Sequence, residues 1–262
     1  VIIPAPYWLS YPEMAKLAGA KPVILDTTDE TEFKVTPEQL REAITPNTKL
    51  FILNSPSNPT GSVYSADEIR TLGDVCVEHG VLIMSDDIYE KLVYDGATFT
   101  SVATFSEEHL AHTIIVHGLA KAYSMTGWRI GFLAAPKPIA QAINAVQSHS
   151  TSNATSFAQK GAVAALNGPQ DHLGEWLAEF DKRRRHAAEQ LNAMPGISCI
   201  NSRGAFYLFP NMAATGLKSA EFCERLLDQA KVAAVPGIAF GADNNFRISY
   251  ATSMENIQTG MA

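Results

Sequence analysis

The segment "KLFILNSPSNPTGSVYSADEIRTLGDVCVEHGVLIMSDD" (residues 49–87) decides the fold, because it contains a complete strand–helix–strand unit. The apolar runs at 49–53 and 81–85 each predict a strand, and residues 65–79 between them predict a helix. Ser65 and Glu68 have the spacing of a capping box, which opens such a helix. Near-continuous apolar runs of this kind are typical of parallel strands that are buried on both faces. The segment therefore indicates an α/β domain.

The same alternation extends to both sides of this unit. "KPVILD" (21–26) and "TIIVH" (113–117) predict further strands, and "TPEQLREAI" (36–44) predicts a second helix. Thr36 and Gln39 form another capping box at the start of that helix. We therefore expect a mainly parallel sheet that is flanked by helices.

The pattern changes about two thirds of the way along the chain. Residues 168–194 predict one long helix, and a helix near 218–230 lies among short apolar runs. We expect a large domain over residues 1–168 and a small C-terminal α+β domain over residues 169–262, joined by the long helix. The basic run "KRRR" (182–185) within that helix is interpreted as a solvated helix face rather than an anion site.

The chain opens with "VIIPAPYW" (1–8), which has no initiator methionine and no features of a signal peptide. We expect that it begins inside a strand, and that the large domain is incomplete at its N-terminus. At the other end, "MENIQTGMA" (254–262) predicts a helix.

Composition excludes several classes of protein. Of the 262 residues, 46% are hydrophobic and 18% are charged, which is typical of a globular protein. The net charge of −7 argues against nucleic acid as a partner, and no apolar run is long enough to span a membrane. The seven histidines are scattered, so we expect no metal site. Three widely spaced cysteines predict a reduced, cytoplasmic setting: Cys76, Cys199 and Cys223.

Polar, turn-rich segments follow three of the predicted strands. They are residues 54–61, 86–90 and 118–121. In parallel α/β sheets, ligands bind outside the carboxyl ends of the strands, so these segments define the candidate site.

Lys121 is the residue in these segments that most needs a chemical explanation. A lone lysine is usually a surface residue, but this one is accompanied by Asp86, Tyr89, Asn58 and, eight residues later, Arg129. A partly desolvated lysine near other cations loses its proton easily and becomes a nucleophilic amine. Schiff-base formation with a carbonyl needs such an amine. Its common cofactor is pyridoxal 5'-phosphate (PLP), which also needs an acid that faces its pyridine nitrogen.

Four segments carry a resemblance to a known family. "NSPSNPTG" (54–61), "SDDIYE" (85–90), "AKAYSMTGWRIGF" (120–132) and "FRISYATS" (246–253) resemble signature segments of the class I, fold-type I PLP-dependent aminotransferases. The resemblance is closest to the bacterial aspartate aminotransferase group and extends over essentially the whole chain. It implies the PLP-transferase fold.

The resemblance also implies residue roles around the cofactor. Lys121 resembles the lysine that forms the Schiff base and then moves the substrate proton. Asp86 resembles the carboxylate that keeps the pyridine nitrogen protonated. Tyr89 and Asn58 are similar to the pair that hydrogen-bonds the phenolic oxygen, and Trp8 is similar to the aromatic residue that stacks on the ring.

Two arginines receive roles by the same resemblance. Arg129 resembles the arginine that binds the cofactor phosphate. Arg247 resembles the arginine that binds the substrate α-carboxylate, beside Asn58, and its planar fork suits such an anion. One position departs from the family: members often carry serine or threonine three residues before the lysine, where this chain has Gly118. We interpret Asp87 as a bystander.

The implied activity is transamination by a ping-pong scheme. The substrates would be an L-amino acid, with aspartate or glutamate as the first expectation, and a 2-oxo acid. A homodimer is implied as well. The residues leave open an aromatic, prephenate or alanine aminotransferase, a PLP-dependent C–S β-lyase and a non-catalytic PLP-binding regulatory domain.

Overall fold

The computed structural model describes residues 1–262, and its larger sheet has six strands in the order β2-β1-β3-β4-β5-β6. These strands are β1 (Ile2–Ala5), β2 (Val23–Asp26), β3 (Leu50–Asn54), β4 (Leu82–Asp86), β5 (Thr113–Gly118) and β6 (Gly131–Ala134). The first five run parallel, and β6 pairs with β5 in the antiparallel direction. The sheet is therefore mainly parallel, as predicted.

Nine helices accompany the sheets. They are α1 (Ser10–Leu17), α2 (Pro37–Ala43), α3 (Ala66–Glu78), α4 (Glu107–His112), α5 (Lys137–Ser150), α6 (Ser156–Asn167), α7 (Asp171–Ala193), α8 (Ser219–Ala230) and α9 (Met254–Met261). Both predicted capping boxes form, because Thr36 accepts from the backbone N–H of Gln39 and Ser65 accepts from that of Glu68. None of the helices has the length and apolar character that a membrane crossing requires.

A second, smaller sheet lies in the C-terminal part of the chain. Its three strands are β7 (Tyr207–Leu208), β8 (Val235–Pro236) and β9 (Phe246–Ser249), and they are ordered β7-β9-β8. β9 is antiparallel to both of its neighbours. The two sheets fall on either side of residue 168, although the domain division at that residue stays a prediction.

The main hydrophobic core lies between α3 and the large sheet. Ile69, Leu72 and Cys76 fall on one face of α3 because of their helical spacing, and they are buried in one cluster with Phe51 and Ile83 of the sheet. Burying a large aliphatic side chain of this kind contributes roughly 1.5–3 kcal/mol. This packing fixes α3 across β3 and β4, and so fixes where the ends of those strands lie.

The expectation that the strands are buried on both faces is wrong for β2. Val23 and Ile24 are each 36% exposed, whereas the three central residues of β3 are buried. β2 is the edge strand and pairs only with β1, so its side chains have neighbours on one side alone.

The interpretation of "KRRR" as a solvated face is also wrong for one residue, because Arg184 is 1% exposed. Its guanidinium donates to the carboxylates of Asp181 and Asp95, to the side chain of Asn201 and to the carbonyl oxygen of Ser202. All five N–H bonds are used, so this face of α7 is turned inward against acidic partners.

Candidate active site

β3, β4 and β5 are adjacent and parallel, and a cavity of about 590 Å³ lies beyond their carboxyl ends. Every site residue predicted from the sequence lines this cavity: Trp8, Asn58, Asp86, Tyr89, Lys121, Arg129 and Arg247. The structure thus brings together side chains that are separated by up to 239 positions in the chain. Their individual roles remain predictions.

Lys121 follows β5 and lies close to aromatic rings. Its Nζ atom is 5.9 Å from the ring centre of Tyr89 and 5.6 Å from that of Phe206. Burial lowers the pKa of Lys121, and the charges of Arg247 and Arg129 lower it further, whereas Asp86 acts in the opposite direction. The site therefore shifts the acid–base equilibrium of Lys121 toward the neutral amine, which is the nucleophilic form.

Asp86 ends β4 and is held by two donors. Tyr11 donates its hydroxyl to Oδ2 at 2.6 Å, and the backbone N–H of Ile88 donates to Oδ1 at 3.3 Å. Burial raises the pKa of Asp86 more than these hydrogen bonds and the charges of His117 and Lys121 lower it. A cation placed against this carboxylate would therefore be bound in a poorly solvated setting, where charge pairing is strong.

Trp8 and Tyr11 form one aromatic wall of the cavity at the start of α1. Their ring centres are 5.4 Å apart, and the planes cross at 85°. Trp8 is partly exposed, so its indole is available to a planar ligand. Tyr11 was not among the predicted site residues, and its one sequence signal is its position three residues after Trp8, at the start of the same helix.

Arg247 lies on β9 and faces the same cavity. Its guanidinium lies 4.5 Å from the ring centre of Tyr207 and 5.0 Å from that of Phe240. Nη1 donates to Oδ1 of Asn58 at 2.8 Å, but Nε is buried and has no partner. A buried N–H of this kind costs free energy unless an anion accepts from it. The guanidinium of Arg247 is therefore positioned to bind a carboxylate.

Asn58 has one of its two side-chain polar groups already engaged. Its carbonyl oxygen is taken by Arg247, which leaves its NH₂ group as the donor for any ligand oxygen. The backbone N–H of Asn58 donates to Oδ1 of Asn54 at 2.9 Å, and Nδ2 of Asn54 donates to the carbonyl of Asp86 at 2.9 Å. Asn54 thus fixes two site residues. The sequence analysis missed it because asparagine is common wherever a strand ends in a turn.

The turn that carries Asn58 is fastened to the C-terminal part of the chain. The N–H of Gly204 donates to the carbonyl of Gly61 at 2.8 Å, and Ser202 donates its hydroxyl to the carbonyl of Thr60 at 2.7 Å. Gly61 has a φ of +68°, and a Cβ atom there would lie 2.7 Å from that of Ser202. Only glycine fits this contact, which we call the Gly61–Gly204 seam.

Tyr89 is buried beside the cavity, and its hydroxyl oxygen lies 3.0 Å from that of Tyr207. Burial raises the pKa of Tyr89, and the contact with Tyr207 and the charge of Asp86 raise it further. The phenol therefore stays protonated and can donate a hydrogen bond. Tyr207 was missed because it lies in the apolar run "AFYLFP", with no polar neighbour to mark it.

Arg129 and Gly118 lie where β5 meets β6. Arg129 is exposed and donates from Nη1 to the carbonyl of Thr126 at 2.9 Å. Gly118 pairs with Gly131 across the two strands, and a Cβ atom at position 118 would lie 3.1 Å from both Gly131 Cα and the carbonyl oxygen of Ile130. The close approach of β6 thus leaves little room for a side chain at Gly118.

Comparisons with known proteins agree with this architecture. Residues 1–262 match the family described as "Aminotransferase class I and II". The chain is 52% identical over 266 residues to the aspartate aminotransferase of Geobacillus stearothermophilus, covering 100% of this chain and 68% of that protein. It is 44% identical to the aspartate/prephenate aminotransferase of Nitrosomonas europaea, covering 98% of this chain and 68% of the relative.

A solved structure shows the same fold. The aspartate aminotransferase of Rhizobium meliloti superposes with a TM-score of 0.95 at 42% sequence identity, covering 99% of this chain and 68% of that one. The chain therefore belongs to the class I and II aminotransferase family. It is a PLP-dependent aminotransferase, as the sequence predicted, and it spans about 68% of the length of these relatives.

The cavity fits this cofactor. It contains an amine whose pKa is lowered, a carboxylate held at a strand end and an aromatic wall of suitable shape. The unpaired Nε of Arg247 adds a place for an anionic group beside them.

Proposed function

We propose that this chain transfers an amino group between L-aspartate or L-glutamate and a 2-oxo acid. The observation that carries the proposal is that Lys121 and Arg247 line one cavity, so an amine and a carboxylate site face the same small volume. The relative that is named an aspartate aminotransferase, at 52% identity, supports the choice of substrate.

The residues that would hold PLP follow from their positions and from the resemblance. They are Lys121 for its aldehyde carbon, Asp86 for the pyridine nitrogen, Tyr89 and Asn58 for the phenolic oxygen, Trp8 for the ring face and Arg129 for the phosphate. When bound, the cofactor supplies an electron sink for charge that develops at the substrate α-carbon.

The chain's own groups would then perform three tasks. Arg247 binds the α-carboxylate through its free N–H groups and so orients the α-carbon toward Lys121. Nζ of Lys121, in its neutral form, would accept the proton from the α-carbon. It would then donate this proton at the position of the cofactor's aldehyde carbon. Because the amino acid and the 2-oxo acid each carry an α-carboxylate, one site can bind them in turn, as a ping-pong scheme requires.

A second candidate substrate is prephenate. The Nitrosomonas europaea relative carries both aspartate and prephenate in its name, and it is 44% identical to this chain.

Homodimer formation and a cytoplasmic setting belong to the same proposal. Exposed apolar side chains are concentrated between residues 128 and 166, and we call this set the 128–166 face: Trp128, Phe132, Leu133, Val146, Phe157, Val163 and Leu166. Exposed apolar side chains that form a contiguous surface are typical of an interface. The three cysteines are free thiols, which supports a reducing compartment.

An amino-transfer assay tests the proposal. The protein loaded with PLP should convert L-aspartate and 2-oxoglutarate to oxaloacetate and glutamate, and Lys121→Ala should lower kcat by at least about 10³-fold, since the proton acceptor is lost. Lys182→Ala, an exposed lysine on α7, should leave the rate unchanged. If no 2-oxo acid accepts an amino group from any amino acid, the proposal is wrong.

A further inference from the structure

Tyr207 contacts two site residues but has no role in the resemblance. Its hydroxyl oxygen lies 3.0 Å from that of Tyr89, and its ring lies 4.5 Å from the guanidinium carbon of Arg247. The side chain is only 6% exposed and lines the cavity with Lys121. One phenol therefore touches both the predicted cofactor-binding tyrosine and the predicted substrate-binding arginine.

The position of Tyr207 is fixed by the small sheet. β7, which carries Tyr207, pairs with β9, which carries Arg247, and Tyr207 is in register with Ser249. Tyr89 instead belongs to the segment that follows β4 in the large sheet. The contact between the two hydroxyls therefore joins the two sheets at the active site.

The direction of this hydrogen bond follows from the number of protons. A phenol has one proton to donate, so a Tyr89 that donates to a ligand oxygen must accept from Tyr207. Hydrogen bonds in such a chain strengthen one another in a poorly solvated site. The charged and titratable groups around this pair are Asp86 at the end of β4, His117 on β5, Lys121 after β5, Arg129 before β6 and Arg247 on β9. None of these groups forms a hydrogen bond with Tyr89, so the hydroxyl of Tyr207 is the group that can donate a proton to the Tyr89 oxygen.

We propose that Tyr207 is a positioning residue with two functions: its hydroxyl aims the proton of Tyr89 at the phenolic oxygen of the cofactor, and its ring supports Arg247. The inference rests on the proposed function, since it assumes the roles given there to Tyr89 and Arg247. A stronger donor at Tyr89 stabilises the phenolic anion, and so it lowers the pH at which the nitrogen of Lys121 loses its proton when joined to the cofactor.

Two substitutions separate the functions of the hydroxyl and the ring. Tyr207→Phe removes the hydroxyl and keeps the ring under Arg247, whereas Tyr207→Leu removes both. Tyr250→Phe is the matched control, because the Tyr250 hydroxyl is also buried but donates to the carbonyl of Ala205, at 3.1 Å, outside the cavity.

The first measurement is the midpoint of the pH-dependent absorption change of the bound cofactor. We expect this midpoint to rise by about half a pH unit in Tyr207→Phe and to stay unchanged in Tyr250→Phe. The KM for L-aspartate should stay within about twofold in Tyr207→Phe and rise about fivefold in Tyr207→Leu, which loses the contact between the cation and the ring.

Each outcome decides a specific question. An unchanged midpoint in Tyr207→Phe, or an equal shift in Tyr250→Phe, would overturn the inference while leaving the proposed function intact. Failure of the unsubstituted protein to take up PLP would overturn the proposed function and the inference with it. A KM in Tyr207→Leu that stays within about twofold would overturn the function given to the ring. Tyr207→Phe alone tests the function of the hydroxyl if Tyr207→Leu does not fold.

Discussion

At the scale of single residues, a buried carboxyl group next to the site is expected to make the stability of the fold depend on pH. Asp87, next to the site residue Asp86, is 3% exposed and accepts hydrogen bonds from the hydroxyls of Ser85 and Ser101 at 2.6 and 3.2 Å. Burial raises the pKa of Asp87 to about 6, although the two serines and the charge of His117 oppose the shift. The interpretation of Asp87 as a bystander stays untested for catalysis, but the raised pKa of this carboxyl group predicts an effect on stability.

Asp87→Asn tests that effect. The pKa of Asp87 is higher in the folded chain than the ordinary value of about 3.9, so its contribution to stability is largest below that value and is lost as the pH rises through about 6. Relative to the unsubstituted protein, Asp87→Asn should therefore gain about 1.5 kcal/mol in the free energy of unfolding between pH 5 and pH 8.

Urea unfolding at the two pH values measures this gain. The exposed residue Asp67 supplies the control, and Asp67→Asn should differ from the unsubstituted protein by the same amount at both pH values. A constant difference for Asp87→Asn would contradict the prediction.

The residues that could be predicted from sequence share one property. Lys121, Asp86 and Asn58 each lie at the end of a strand or in the segment that follows it, so local pattern and sheet topology suffice to place them at one edge. Tyr11 and Tyr207 could not be predicted, because their importance comes from partners 75 and 118 positions away along the chain. Hydrogen bonds of such long range leave no periodic signal.

At the scale of elements, α7 shows how one buried arginine ties a helix to distant loops. Arg184 joins α7 to Asp95 in the loop after β4 and to the segment at Asn201 and Ser202. A guanidinium presents five N–H donors in a plane, and lysine cannot reproduce that arrangement. Sequence patterns predicted the helix within three residues at either end, but not which face of it is buried.

Arg184→Lys should therefore destabilise the fold. We expect a loss of about 3 kcal/mol in the free energy of unfolding, because Asp95 and the neighbouring acceptors lose buried partners. Arg183→Lys, at a more exposed ion pair with Glu179 on the same helix, should cost less than about 1 kcal/mol. Thermal and urea unfolding of the two variants provide the comparison, and equal losses would show that burial at Arg184 is unimportant.

At the scale of the whole molecule, fold class was predictable and surface chemistry was not. The mainly parallel sheet follows from apolar runs that alternate with capped helices. The antiparallel β6 and the exposed 128–166 face lie in sequence that reads as ordinary core, because apolar composition alone does not say what will cover a side chain.

The 128–166 face gives a prediction about assembly. If it is the homodimer interface, Phe157→Glu should raise the dissociation constant of the dimer by at least about 100-fold, because it places a charge where apolar area is buried. Leu227→Glu, at a residue that is also about half exposed but lies on α8, should leave association unchanged. Sedimentation velocity over a range of concentrations distinguishes the two variants. Association that survives Phe157→Glu would place the interface elsewhere.

The Gly61–Gly204 seam has a consequence for building chimaeras from members of this family. A crossover at residue 168 would take Gly204 from one parent and Gly61 from the other. Gly61 is fitted against Ser202 and the carbonyl oxygen of Gly204, and Gly204 is fitted against the side chains of Pro56 and Val63. A parent with a larger residue on either side would displace the turn that holds Asn58, and with it one partner of Arg247. Hybrid enzymes should therefore inherit substrate preference faithfully only when both sides of the seam come from compatible parents, whichever parent supplies Lys121.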